Sequence, residues 1–171
     1  RRRYHEGGAA VDEATQAVRI DRALVAQSLA TAPRHFVMHS VDGARNVPMG
    51  GRHVAFAPTS GPPNIMDTAG GRRSGTLIDF SNLMKLCQHF DVIQVLGGAV
   101  EPQDVPVHLR HLEVTRTQLL LSDKIPFFFS RGRGQILDNF ELMRMAHGVT
   151  AEQFRDHPCC YTVINTNSPL Q

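Results

Sequence analysis

Charge of one sign is scarce in this sequence: 18 Lys and Arg against 16 Asp and Glu leave a formal +2 over 171 residues. So small a surplus offers no field for a nucleic-acid backbone or an anionic membrane surface. Arg1, Arg2 and Arg3 form the one dense basic run, which reads as a frayed terminus before a binding arm. Cysteine is scarce too. Three residues, two of them adjacent (Cys159 and Cys160), give no disulfide framework, and an odd count leaves a free thiol. A reducing, cytoplasmic setting is the simpler expectation. No apolar run approaches the ~20 residues that a bilayer span needs. The N-terminus has no signal-peptide apolar core, and it lacks an initiator Met, so residues are expected before Arg1.

What is present is an ordinary globular composition, 42% hydrophobic and 20% charged with 14 Gly and 10 Pro, long enough for one domain with a core. Residues 1–20 are polar and poorly patterned. Asp21 then sits as an N-cap, with Leu24, Val25, Ser28 and Leu29 on one face of a short helix that should stop before Pro33. Residues 35–40 alternate as a strand. Gly, Pro and polar residues dominate 41–75, with short strands expected at 53–57 and 64–67 and a turn at Gly70-Gly71. The expectation for residues 1–75 is an irregular, β-rich and helical arm or cap.

The pattern changes at Thr76. Thr76-x-x-Asp79 has the form of a capping box, and Leu77, Phe80, Leu83, Met84, Cys87 and Phe90 follow helical spacing. Cys87 lies on that apolar face, as a structural thiol would. A unit then repeats. Residues 91–98 are a short apolar run ending in glycines, and 103–121 read as a helix with Pro106 in its first turn. Residues 124–130 are the next strand, followed by a helix over 135–147 that Gly148 closes. Thr150-x-x-Gln153 caps a short helix, and 160–165 form a third strand.

The strand starts at Asp91, Lys124 and Cys160 lie about 35 residues apart, the length of a βα unit. Strands without period-two alternation are buried on both faces, as in parallel sheets, and right-handed crossovers put their C-terminal ends on one rim. The reading is an α/β fold over 76–171 that three strands leave unfinished at Gln171.

Several motifs fail. Gly132-x-Gly134 has no third Gly to complete a dinucleotide fingerprint. His108 and His111 lie three apart on a helix, but without an H-E-x-x-H they read as a solvated face, and no metal site is expected. No nucleophile elbow or Walker loop appears. Met143 and Met145 read as helix packing and surface. The strand ends are more informative, because ligands of barrels and open α/β sheets bind there. Gly97 and Gly98 permit close backbone approach, and Glu101 adds a carboxylate. Ser130 and Arg131 follow the second strand; Asn165, Asn167 and Ser168 follow the third. Each could be turn chemistry, but three clusters on one rim point to a shared site. Phe127, Phe128 and Phe129 invite a cation–π role, although mid-strand aromatics read first as core.

Five segments occur in order: Gly50-Gly-Arg-His-Val-Ala-Phe56, Gly70-Gly-Arg-Arg-Ser-Gly-Thr-Leu77, Val100-Glu-Pro-Gln-Asp-Val-Pro106, Ser122-Asp-Lys124 and Ile164-Asn-Thr-Asn-Ser-Pro-Leu170. Together they resemble the cobalamin-dependent trimethylamine methyltransferase family, over roughly residues 12–170. The resemblance implies a (β/α)8 TIM barrel, of which 76–171 would be the first βα units and 1–75 an N-terminal arm. It implies a longer polypeptide, and transfer of a methyl group from a tertiary or quaternary methylamine, trimethylamine or betaine-like, to the cobalamin of a separate corrinoid protein. Glu101 would then be an ammonium partner, with Asn165 and Asn167 facing substrate or corrinoid. Two other readings stand beside it. One is a truncated, non-catalytic barrel fragment serving as an oligomerising or interaction module, since an uncovered parallel edge asks for a partner and favours a homo-oligomer. The other is a different α/β barrel enzyme with a phosphate at residues 131–134.

Overall fold

The computed structural model describes residues 2–164, so Asn165, Asn167 and Ser168 lie outside the described residues. Contacts group the chain into two units, one ending at Phe36 and one beginning at Val37. In the first, α1 (Arg2–Glu6) precedes an antiparallel hairpin of β1 (Ala10–Asp12) and β2 (Ala17–Arg19), in which Val11 faces Val18. Asp12 Oδ1 accepts from the amides of Ala14 and Thr15 and so folds the turn. The polar, unpatterned look of this stretch hides a hairpin because its strands are only three residues long. Next, α2 (Arg22–Ala30) starts at Asp21, whose carboxylate accepts from Ala23 N at 2.7 Å.

Two further short pairs follow, β3 (His35–Met38) with β4 (Val47–Gly50) and β5 (Asn64–Asp67) antiparallel to β6 (Gly71–Ser74). The strand expected at 53–57 is absent. Its backbone is tied at one point instead: Phe56 N donates to Gln94 Oε1, and Phe56 O accepts from Gln94 N and Val95 N.

The second unit is built on helices. The capping box at Thr76 and Asp79 forms in full and opens α3 (Leu77–His89). Phe80, Met84 and Cys87 on its inner face join Leu96, Ala99 and Val100 in one core cluster. Burial raises the Cys87 thiol, consistent with packing over reactivity. Helix α4 (Val107–Leu121) begins four residues later than its apolar pattern predicts. The residues before it are spent bracing α3: Gln103 N donates to Gly75 O at 2.8 Å, and Asp104 accepts from Leu77 N at 2.9 Å. Helix α5 (Arg133–His147) ends at Gly148, which takes the left-handed conformation at φ 63°. Thr150 and Gln153 cap α6 (Ala151–Asp156). Met143 is fully buried beneath Phe128 and Phe154, while Met145 is exposed.

The three apolar runs lie side by side and parallel. Val95 bridges Ile125, and Phe127 bridges Tyr161. Leu96 N donates to Ile125 O at 2.9 Å, Tyr161 N to Pro126 O at 3.1 Å and Phe128 N to Tyr161 O at 3.1 Å. They stay at single bridges for two reasons legible in their chemistry. Pro126 has no N–H to give a ladder. The amide of Gln118, buried on α4, takes both backbone groups of Phe127, accepting from its N–H at 3.0 Å and donating to its C=O at 3.1 Å.

Candidate functional site

Beyond the ends of the first two parallel runs, a cavity of about 60 Å³ opens between these runs and helices α4 and α5. Strand-end residues Gly98, Glu101 and Arg131 line one side, and Arg110, His111 and Asn139 line the other. Val107, Val114 and the three phenylalanines supply apolar wall.

Glu101 is the electrostatic centre. Its carboxylate takes Arg131 through both terminal nitrogens, Nη1 on Oε1 and Nη2 on Oε2 at 3.2 Å, and takes Arg110 Nη1 at 3.3 Å. Its side chain is only 13% exposed. Burial opposes its ionisation, but the hydrogen bond and charge of Arg131, then those of Arg110, outweigh burial and hold the carboxyl below its ordinary range. Arg131 also stacks its guanidinium 4.8 Å from the centre of the Phe129 ring. Phe129 meets Phe127 edge to face at 5.0 Å, and Phe127 meets Tyr161 at 5.3 Å.

The glycines of the first strand end serve the protein's own packing. A Cβ on Gly97 would stand 2.3 Å from Pro58 O, and one on Gly98 would stand 2.6 Å from the Phe129 ring and 2.7 Å from Gly61 N. Close backbone approach is therefore required here, by the 58–61 segment and Phe129.

Helix α4 contributes groups that the sequence pattern did not place at the site. Arg110 lies against Glu101. His111, read as solvated, is 12% exposed and holds Asp138 of α5 through Nε2 at 2.9 Å. Buried Thr115 donates to buried Asn139 at 2.9 Å. These polar positions interrupt the apolar stripe of α4, which is why spacing alone misassigns the face. Arg131 is spent on Glu101 and Phe129, which leaves little of it for a phosphate at 131–134.

Of the strand-end residues singled out in sequence, the structure thus gathers Gly98, Glu101 and Arg131 around one cavity, with Phe127, Phe128, Phe129 and His111 in the same lining. Gly97 packs behind it, and exposed Ser130 is not part of its lining. Among the described residues no group of three His, Cys, Asp or Glu is placed to hold a metal ion, and no helix is long and apolar enough to cross a membrane. The thiols are free, and burial together with neighbouring Cys159 pushes Cys160 up to about 12.

The family described as trimethylamine methyltransferase (MTTB) matches residues 1–171. A glycine betaine methyltransferase from Desulfitobacterium hafniense (strain Y51) is 31% identical over 155 residues, which is 90% of this chain and 32% of that protein. A trimethylamine methyltransferase MttB from Desulfitobacterium hafniense (strain DSM 10664 / DCB-2) is 27% identical over 172 residues, 98% of this chain and 34% of that protein. The chain spans about a third of the length of these curated relatives.

Proposed function

The chain belongs to the trimethylamine methyltransferase family, and from that premise we propose that the protein carrying it moves a methyl group from a tertiary or quaternary methylamine to a corrinoid protein. The family match along the whole chain carries this reading. The three parallel runs are, on this proposal, the opening strands of a (β/α)8 barrel, and the cavity at their ends is part of its mouth.

The acceptor is a substrate, a corrinoid held by another protein, and it supplies the nucleophile. The enzyme then needs no nucleophile of its own. Its work is to place the methyl carbon in line with the acceptor, keep water out and steady charge on nitrogen as the C–N bond breaks. The aromatic wall of Phe127 and Phe129 suits the exclusion of water. Glu101 is proposed as the substrate-facing carboxylate, acting together with the two guanidinium groups it holds. Asn165 and Asn167 are proposed as further substrate- or corrinoid-facing groups, and Gly97, Gly98, Ser130, Arg131 and Ser168 as the rest of the rim. A cytoplasmic homo-oligomer remains the proposed state of the protein.

The test is the full-length protein with its corrinoid protein in the Co(I) state, supplied with trimethylamine or glycine betaine. Loss of the Co(I) absorbance with the appearance of methyl-Co(III) is expected for one of them. No methyl transfer from any methylated amine would defeat the reading.

A further inference from the structure

At the other end of the parallel runs, the loop over residues 39–46, between β3 and β4, lies against two cavities of about 230 Å³ each. The first reaches the start of the second run at Lys124, and the second reaches α6 at Phe154 and the start of the third run at Cys159. Ser40, Val41 and His147 line both, so the last residue of α5 stands between them beside the loop. Its Nε2 is buried there without a partner, and burial pushes the imidazole below its ordinary 6.5. Next to Ser40, His39 sets its ring edge to face against that of His157, 6.0 Å away at the C-cap of α6. Three imidazoles, from the loop, α5 and α6, thus meet at one contact. The loop has a firm base to move on, because Val47 of β4 is packed with Val95 and Ile125.

The surrounding charges decide what a proton on His147 does. The lining of the second cavity holds no carboxylate. In the first, Asp123 is held by Arg45 at 2.7 Å, and Asp42 Oδ1 accepts from Ser40 Oγ at 3.2 Å and Ala44 N at 3.0 Å. Arg45 and the buried ammonium of Lys124 already offset those two carboxylates. On α5 itself, Arg144 is paired with Glu141. An imidazolium here is therefore a charge without a counterion, and both of its N–H groups need acceptors. The charge that exposed His39 and His157 gain in acid has the same sign. Water supplies what the walls do not. Each cavity far exceeds the about 10–15 Å³ that one water needs, so a lifted loop lets both flood and hydrates the ring.

We propose that the 39–46 loop is an acid-released flap with His147 as its trigger, closed over the two cavities by the neutral ring and lifted by the imidazolium. The open flap favours the charged ring, so closure is complete above the ordinary imidazole value and is lost as pH falls below it. Two buried free thiols report on this. Cys159 lies in the second cavity at 7% exposure, and Cys87 lies in the α3 core at 6%. The full-length protein, in a C160S background, is treated with a dipyridyl disulfide that reacts with thiols in mild acid. Steps run from neutral pH down to about 5, above the range in which carboxylates titrate, and the labelled peptides are quantified by mass spectrometry. The expected result is that labelling of Cys159 relative to Cys87 rises at least tenfold over that interval with His147 in place. In H147Q, polar but uncharged, the ratio stays flat, and H147F supplies the same comparison if the Gln variant fails to fold. A rise shared by Cys87 marks general loosening, and a rise kept without His147 puts the trigger elsewhere. A flat or falling ratio with His147 in place shows that the loop stays down, or that Asp42 captures the imidazolium. Each of these three outcomes overturns the proposal.

Discussion

Glu101 and His147 are titrating groups that the fold pushes in the same direction for different reasons, and each leaves a signature in the pH dependence of stability. Arg131 and Arg110 overcome burial to hold Glu101 below its ordinary 4.5. Its contribution is therefore present above the unfolded value and lost as pH falls through the lower folded one. Replacing it by Gln should cost about 1–3 kcal/mol at neutral pH, the range for a hydrogen-bonded charged group. Urea unfolding of E101Q and wild type should show that gap closing as pH falls below the ordinary carboxylate value of 4.5. For His147, burial alone lowers the pKa from 6.5. The neutral ring is favoured in the fold, so stability is full above the unfolded value and declines as pH drops below it towards the folded value. H147F, which also removes the unpartnered Nε2, should flatten the decline that wild type shows as pH falls below 6.5. A wild-type curve already flat below that value would exclude the effect.

At the scale of elements, α3 shows how far local spacing reaches. Its start depends on residues three apart, Thr76 and Asp79, and was legible in sequence. Arg73 adds a grip that spacing does not show, with Nη1 and Nη2 at 2.6 and 2.8 Å from the Asp79 carboxylate. Its end depends on Lys124, 34 positions from Phe90. The buried ammonium donates to Cys87 O and Phe90 O and so closes carbonyls that the helix leaves open. K124M should cost about 1–3 kcal/mol by stranding Cys87 O, Phe90 O keeping the Ile93 amide, against about 1 kcal/mol for T76V at the other end, both read from denaturant midpoints. Equal costs would mean that Lys124 is a space-filler. The same division explains the site. Helices, caps and the Gly148 stop rest on neighbours within a turn, whereas the cavity rests on Glu101 meeting Arg131 and on His111 meeting Asp138 across separate elements. Gln118 carries no local mark of its grip on Phe127, so strands expected over whole runs are single bridges.

For the molecule as a whole, the third parallel run decides how the chain behaves. Parallel strands are stable when both faces and both edges are covered. Helices α5 and α6 pack over Phe128 and Cys159 on one face, and Val47 with Val95 and Ile125 forms a further cluster beside Tyr161. The inner edge of the third run is satisfied by Pro126 O and Phe128 N, which hold the two backbone groups of Tyr161. Among the described residues no strand pairs with its outer edge, and Val163 and Ile164 just beyond the bridge are 54% and 79% exposed. Such an edge, with no described strand on it, sets backbone donors and acceptors next to branched apolar side chains, the combination that recruits another strand. The 171-residue chain produced by itself should therefore associate with rising concentration in sedimentation velocity. Lysines at both positions, V163K with I164K, should hold it monomeric by adding charge to the edge while leaving α3 to α6 and their helical circular dichroism unchanged. Wild-type chain that stays monomeric to about 100 µM, a concentration at which exposed strand edges commonly pair, would show the edge to be covered.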